Sequence, residues 1–342
     1  MLAYEYIKKN KRRSLILAAM FPVSFTLFAF LVIMFFHSAG TVFYYLDISR
    51  EIVWKEIFQS AFVAAHEWCK IVLPICFILS AFWARIAIKD GGSVVLKYIP
   101  GIRPIFKLDH FDACTALENL CITAGMPLPD LYELNDDSLN AFSVGVCPEH
   151  SAIILSKGIL EKLDRPQLEG VLAHELVHIR NYDTRVMAVL ITCLAFFTFA
   201  GEMFVYGTEK ENLTGDPKID NTVFRMPPFL LPVGLALMAY GYFVAPMIRL
   251  ALSREREALA DAEAVLLTRN PQGLAKALWR ISEDSRLETL DRLNLVGAMC
   301  IENPHAKPTF FERLSGIGKA HPPVGERIHA LNDMDSLFLQ TK

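Results

Sequence analysis

Four long apolar runs constrain the fold of this chain more than any other feature of its sequence. The first run extends from about Leu15 to Phe36 and follows a basic segment, residues 8–13, which is Lys-Lys-Asn-Lys-Arg-Arg. It is long enough to cross a bilayer as a helix, and it is too long for the apolar part of a typical cleaved signal peptide. The sequence therefore predicts a retained membrane anchor.

The other three runs leave two interpretations open. They extend over Ala61 to Ile88, Val186 to Tyr206 and Pro228 to Leu250, and hydrophobic residues make up 53% of the chain. Four membrane spans are the preferred interpretation. Because the third and fourth runs are near the minimum length for a span, they could instead be core helices of a large soluble domain.

The segment between the second and third runs, residues 89–165, has the alternating apolar positions and turn residues of a folded polar domain. Asn140 to Val146 and Ser151 to Leu155 are predicted to be two strands. Asp164 followed by Pro166 predicts a helix start, since a capping side chain precedes a residue that tolerates the first turn. We expect this helix to end near Asn181.

The predicted helix carries the pentapeptide His-Glu-Leu-Val-His at residues 174–178. His174 and His178 are one turn apart and share a face, so both imidazoles can reach one metal ion. Glu175 can lean toward a water molecule beside that metal and act as general base. Two metal ligands and a base within five residues form the zinc-protease pattern.

A catalytic zinc ion needs three protein ligands and one open position, so a third ligand must come from elsewhere. The segment 253–261, after the fourth run, reads Ser-Arg-Glu-Arg-Glu-Ala-Leu-Ala-Asp. Glu257 and Asp261 share a helix face, so Glu257 could bind the metal while Asp261 accepts a hydrogen bond from a ligand histidine. Glu255 is a competing ligand, but it has no acidic residue four positions later.

At this point the chain resembles the M48 peptidases, and among them the HtpX-like membrane proteases. Four segments carry the resemblance: Asn140-Ala141-Phe142; His174 to His178 with Ile179 to Asp183; Ser253 through Glu257 to Asp261; and His321-Pro322-Pro323 followed by Arg327, Ile328 and Leu331. The resemblance implies a mainly α membrane protein with a small β-hairpin or sheet. It also implies a zincin-like (gluzincin) catalytic domain carried on about four transmembrane helices.

The resemblance further implies one Zn²⁺ per chain and a zinc endopeptidase mechanism. The zinc would be held by His174, His178 and Glu257, with Glu175 as the base that takes a proton from water and passes it to the leaving amine. Zinc is inferred from the ligand types, which cobalt or manganese would also fit.

Two further roles are implied only by the resemblance. His321 or Arg254 could donate to the oxyanion of the tetrahedral intermediate, although His321 could equally be a turn residue before two prolines. Asn140, Ala141 and Phe142 could form an edge strand that pairs with an extended substrate, or an ordinary hairpin strand.

Basic residues predict the orientation of the four spans, because they flank the ends that would share one side of the membrane. They are the basic residues of segment 8–13, Lys89, Lys97, Arg103, Lys107, Arg180, Arg185, Arg249, Arg254 and Arg256. The positive-inside rule then places both termini and the catalytic segments in the cytoplasm, most simply at a bacterial inner membrane. The chain divides into an N-terminal transmembrane hairpin (1–88), a first catalytic half (89–184), a second hairpin (185–250) and a second catalytic half (251–342).

By resemblance, the expected partners are polypeptides, in particular misfolded or damaged membrane proteins, together with the lipid bilayer. A net charge of −3 provides no basic field for nucleic acid. Alternative functions are a protease of prenylated tails (CAAX type), a metalloprotease-like signalling receptor and an inactive scaffold. The loops at 38–60 and 207–226 are too short for a sensor domain, and a scaffold has no need of Glu175.

Overall fold

The computed structural model describes residues 3–47, 54–206, 231–244, 254–290, 294–297, 299–302 and 322–340. Helices form most of this part of the chain, and four short strands form one sheet. In chain order the elements are α1 (Ala3–Asp47), α2 (Trp54–Tyr98), β1 (Ile102–Pro104), α3 (Phe111–Ala124), β2 (Asp130–Leu134), β3 (Ala141–Cys147), β4 (His150–Ser156), α4 (Lys157–Lys162), α5 (Arg165–Arg180), α6 (Asp183–Tyr206), α7 (Leu231–Val244), α8 (Arg254–Thr268), α9 (Pro271–Glu283), a 3₁₀ turn (Glu288–Leu290), α10 (Asn294–Gly297) and α11 (Val324–Gln340).

Helices α1 and α2 pack along each other and carry the first two apolar runs. Each has 45 residues, which corresponds to about 67 Å at the usual helical rise. Both have apolar stretches long enough to cross a membrane, within Glu5–Tyr44 and Ala65–Tyr98. Large apolar side chains on their outer faces are exposed, among them Leu27, Phe35 and Phe82. Such a surface suits contact with lipid rather than with water.

Helix α2 continues without a break to Tyr98, beyond the domain boundary expected at residue 88. Its last turns lie directly on the sheet, where Gly92 packs on Gly145 of β3. A Cβ atom added at Gly92 would lie 2.8 Å from the Cα atom of Gly145, which is closer than two carbon atoms approach. The second apolar helix, α2, therefore packs directly against the sheet and is not separated from it by a linker.

The sheet has the strand order β1-β2-β4-β3. Strands β2 and β4 are parallel, and the other two neighbouring pairs are antiparallel. The two strands expected from the sequence are confirmed as β3 and β4, within one residue at each end. The order leaves β3 at an edge of the sheet, on the side of the motif helix.

Helix α5, which carries His-Glu-Leu-Val-His, begins and ends where the sequence predicts. Asp164 caps it by accepting from the backbone N–H of Gln167, whose side chain accepts in turn from the Asp164 N–H. One face of α5 packs on α9 at Gly170, where an added Cβ atom would lie 2.9 Å from the Cα atom of Leu274. The opposite side contacts α8 and β3, so the motif lies inside the protein.

Helix α6 follows α5 after a sharp turn in which Tyr182 has a φ of 60°. It contains the third apolar run and starts at Asp183, so the boundary expected at 184/185 falls inside a helix. Its buried side chains face α1, α2, β3 and α7, and the Phe197 ring lies 5.4 Å from Phe21 and 4.4 Å from Tyr240 between centroids. The N-terminal end of α6 thus lies where the two long apolar helices, α1 and α2, meet α5, the helix that carries the His-Glu-Leu-Val-His motif.

Candidate metal centre

Three metal-ligand side chains predicted from the sequence converge on one point. The Nε2 atoms of His174 and His178 are 3.1 Å apart. Glu257 reaches them from α8, with Oε2 at 3.6 Å from His174 Nε2 and Oε1 at 3.7 Å from His178 Nε2. Ligands about 2.0–2.2 Å from a tetrahedral zinc ion are about 3.3–3.6 Å from one another. The spacing of the three groups therefore fits a zinc ion.

The choice between the two glutamates of α8 follows from burial. Glu257 is 2% exposed and faces the two histidines. Glu255, the competing candidate, lies on the solvent side of α8. The buried position of Glu257 beside the two histidines supports it as the candidate ligand.

Asp261 lies behind His174, one turn after Glu257. Its Oδ1 atom is 3.0 Å from His174 Nδ1. Arg327 of α11 holds this carboxylate with two hydrogen bonds, from Nε at 2.8 Å and from Nη2 at 2.7 Å. Burial alone would raise the pKa of Asp261, but Arg327 and His174 outweigh burial and hold the pKa well below its usual range. A charged Asp261 therefore fixes the proton of His174 on Nδ1.

Asp183 plays the corresponding part behind His178. Its Oδ2 atom is 3.0 Å from His178 Nδ1, and its Oδ1 atom accepts from Arg256 Nη1 at 3.2 Å. Asp183 lies within one of the sequence segments that carry the family resemblance, but the sequence indicates no role for it. Helical spacing does not identify Asp183, because the chain turns at Tyr182, between the end of α5 and Asp183.

The protonation pattern explains why a cation fits this site. Because each Nδ1 faces a carboxylate, each histidine in its neutral form carries its proton there and directs the Nε2 lone pair toward the centre. Two lone pairs and the Glu257 carboxylate then face one another with no donor among them. In the absence of metal, burial lowers the pKa of His174, but hydrogen bonds to Asp261 and Glu257 outweigh burial and raise the pKa to about 9. Metal binding is thus expected to release this proton.

Glu175 lies beside the converging ligands and is 1% exposed. Its Oε2 atom accepts a hydrogen bond of 2.6 Å from the Ser143 hydroxyl of β3. Its Oε1 atom is buried and has no hydrogen-bond partner among the residues that the structure describes. One oxygen is therefore fixed by the sheet, and the other is available to a reacting molecule. Ser143 is a second residue that the sequence analysis missed.

A small cavity of about 30 Å³ opens at this point, enough space for about one water molecule. Its lining includes Glu175, His178 and Glu257 and the segment Met299 to Ile301. Arg256 also lines it and is 2% exposed.

The three residues expected to bind substrate lie at the start of the edge strand and are buried. The Asn140 side chain donates to the backbone carbonyls of Ser285 and Glu302, both at 2.9 Å. The Ala141 carbonyl accepts from the Ile301 N–H at 2.8 Å. In this conformation Asn140 and Ala141 thus bind other segments of the same chain, while Phe142 packs in the core.

One of the two residues considered as oxyanion donors lies among the described residues. Arg254 is exposed at the first residue of α8. His321 lies outside the residues that the structure describes. The buried arginine in the cavity is instead Arg256, two positions after Arg254.

Comparison with known proteins places these features in one family. The sequence profile of peptidase family M48 matches residues 113–335, which include all three converging ligands. A protease HtpX homologue of Bacteroides fragilis is 36% identical over 250 residues, covering 73% of this chain and 76% of the relative. One from Listeria welshimeri is 30% identical over 338 residues, covering 97% of this chain and 100% of the relative. Among solved structures, Ste24p of S. mikatae matches with a TM-score of 0.38 and 18% identity, covering 72% of this chain and 55% of that chain.

Proposed function

The chain belongs to peptidase family M48, and we propose that it is a membrane zinc endopeptidase in which His174, His178 and Glu257 hold one zinc ion per chain. The observation that carries the proposal is the meeting of two histidine Nε2 atoms and a buried carboxylate beside Glu175. These four groups are the ligands and the base of a metal-dependent hydrolase.

The zinc ion, Glu175 and Ser143 would have different roles in peptide hydrolysis. The zinc ion would supply Lewis-acid activation of water and of the scissile carbonyl. Glu175 takes the proton from the attacking water through its free oxygen and delivers it to the leaving amine. Ser143 holds the other oxygen of Glu175, so the base keeps one orientation through both proton transfers.

The substrates are polypeptides, and we assign their binding to the edge of β3. An extended peptide can pair with an edge strand through backbone hydrogen bonds, without strict sequence requirements. Ser143 of β3 contacts Glu175, so a peptide paired with this strand would lie beside the base. The backbone carbonyl of Ala141 already accepts a hydrogen bond from the Ile301 N–H. A bound peptide would therefore pair with β3 from Ser143 onward, or it would displace Ile301 from Ala141. Such recognition suits misfolded or damaged membrane proteins.

We further propose four membrane spans with both termini and the metal centre on the cytoplasmic side of a bacterial inner membrane. Support comes from the two long apolar helices and from the basic residues near their ends. Helix α6 also supports it, because it starts at the metal centre and continues into the third apolar run. A reporter fused after Lys342 should register as cytoplasmic, and a periplasmic signal would contradict this topology.

The decisive experiment measures zinc content and casein cleavage of the detergent-purified protein, for the wild type and for Glu175→Gln. We expect about one zinc ion per chain in both proteins, since Glu175 is not a ligand, and cleavage in the wild type alone. Wild-type protein without zinc would contradict the metal centre. Equal cleavage by the two proteins would exclude Glu175 as the base.

A further inference from the structure

We propose that Asn10, in the first membrane-type helix, is a positioning residue of the metal centre that acts on His178 through Asp183. The inference rests on the zinc site proposed above and adds a part of it that lies outside the two catalytic segments. Its basis is an unbroken set of hydrogen bonds from α1 to a metal ligand.

Asn10 is fully buried although it lies in the basic segment before the first apolar run. Its Nδ2 atom donates to Asp183 Oδ1 at 2.7 Å and to the backbone carbonyl of Asn181 at 2.9 Å. The two acceptors lie on either side of Tyr182: Asn181 directly follows α5, and Asp183 is the first residue of α6. One amide group of α1 thus holds the turn that directly follows the motif helix.

The two oxygens of Asp183 are used for different purposes. Oδ1 accepts from Asn10 and from Arg256, and Oδ2 faces His178 Nδ1 at 3.0 Å. Because Asn10 and Arg256 both bind Oδ1, the carboxylate is held in the rotamer that directs Oδ2 at the histidine. The orientation of the His178 ring, and with it the direction of the Nε2 lone pair, then depends on where α1 lies.

Asn10 is 173 residues away from Asp183 in sequence. It also lies five residues before Leu15, where the first apolar run begins. A shift or rotation of α1 would move the amide away from Asp183 and loosen one ligand of the metal. The position of α1 is therefore expected to contribute to the metal affinity of the site.

Ser14 provides a matched control on the same helix. It is also fully buried, and among the residues that the structure describes its hydroxyl donates to the Lys11 carbonyl within α1, at 2.9 Å. Asn10→Ala removes the contact with Asp183, whereas Ser14→Ala removes a buried hydrogen bond that does not reach the metal centre. Asn10→Asp keeps the size of the side chain but replaces the donor with a negative charge next to Asp183.

The test uses full-length protein in detergent and two measurements other than peptidase activity. The first is the transfer of zinc to a competing chelator. The second is the visible spectrum of the cobalt-substituted protein, which reports ligand geometry. We expect Asn10→Ala to weaken zinc binding about 3- to 10-fold, less than the about 10- to 100-fold that follows loss of a histidine's direct partner. Asn10→Asp should weaken it further, and both variants should alter the cobalt spectrum.

Each outcome has a defined meaning. Ser14→Ala should match the wild type in both measurements, which excludes a general effect of disturbing α1. If wild-type protein binds no zinc, the proposed function fails, and this inference fails with it. If the wild type binds zinc but Asn10→Ala matches it, or if Ser14→Ala weakens binding equally, Asn10 does not position the site. An Asn10→Asp variant milder than Asn10→Ala would also overturn the proposal, because packing would then explain the loss.

Discussion

At the scale of single residues, the site is organised by groups that neither bind metal nor react. Each ligand histidine is backed by an aspartate, Asp261 for His174 and Asp183 for His178. Each aspartate is in turn held by a buried arginine, Arg327 or Arg256. A buried carboxylate without such a partner would take up a proton and could no longer accept from a histidine. Arg327 and His174 thus hold the pKa of Asp261 well below its usual range, while Arg256 binds one oxygen of Asp183.

Ser143 gives the clearest prediction at this scale. Ser143→Ala should leave zinc content unchanged but lower kcat about 10-fold. A hydrogen bond to a charged group contributes about 1.5–3 kcal/mol, and without this bond the Glu175 carboxylate is free to change its orientation. We expect part of that free energy to appear as a higher activation barrier. KM should change little, since the hydroxyl does not bind substrate in the proposed mechanism. Ser143→Thr keeps the hydroxyl and should retain more activity than alanine. Steady-state kinetics on a peptide substrate would test the role of Ser143. Ser138→Ala is the control, because this serine is remote from Glu175.

The sequence indicates the three candidate ligands at this scale but not the residues that hold them in place. His174, His178 and Glu257 follow from helical spacing, which a sequence displays directly. Asp183 lies beyond the end of α5, in a turn that changes the direction of the chain. Ser143 depends on which face of β3 meets α5, and this is set by packing between elements distant in sequence.

At the scale of elements, α5 is placed by its cap at one end and by close packing along its length. The cap was predictable, because Asp164, Pro166 and Gln167 form a local signal. The continuation of α2 to Tyr98 was not, since the pair Gly91-Gly92 has the form of a turn signal. The structure uses Gly92 instead for close contact with Gly145.

Gly170 allows the position of α5 to be tested. Gly170→Ala should destabilise the protein by about 1–3 kcal/mol, because the added methyl group forces α5 away from the backbone of α9. Thermal unfolding of the full-length protein should show a lower midpoint. Gly325→Ala is a suitable control, since an added Cβ there would meet no atom within 4 Å. A midpoint unchanged by Gly170→Ala would mean that α9 does not fix the motif helix.

At the scale of the whole molecule, the metal centre joins segments that come from every part of the chain. Helix α5 supplies two of the proposed ligands and the proposed base, α8 the third proposed ligand, α11 the arginine behind Asp261, and α1 the amide behind Asp183. The sequence predicted that α5 and α8 meet, because each carries part of one chemical motif. It could not predict the part played by α1, because a single asparagine in a basic segment carries no such signal.

This assembly predicts that metal binding stabilises the protein as a whole. A ligand that binds only the folded state at 100 times its dissociation constant adds about 2.7 kcal/mol to the free energy of unfolding. Zinc should therefore raise the thermal midpoint of chelator-treated wild-type protein. The increase should be lost in Glu257→Gln, because α8 then no longer contributes a charged ligand to the histidines on α5.

Glu255→Gln is the matched control, since it removes a carboxylate from the same helix at an exposed position. This variant should respond to zinc like the wild type. An equal rise in the midpoint for Glu257→Gln and the wild type would show that zinc stabilises the protein from another site. A response lost in Glu255→Gln but kept in Glu257→Gln would mean that the other face of α8 supplies the ligand. Asp261 follows Glu257 by one turn on the same face of α8, and it contacts His174. A rotation of α8 that brought Glu255 to the histidines would move Asp261 away from His174, so such a result would contradict the site described above.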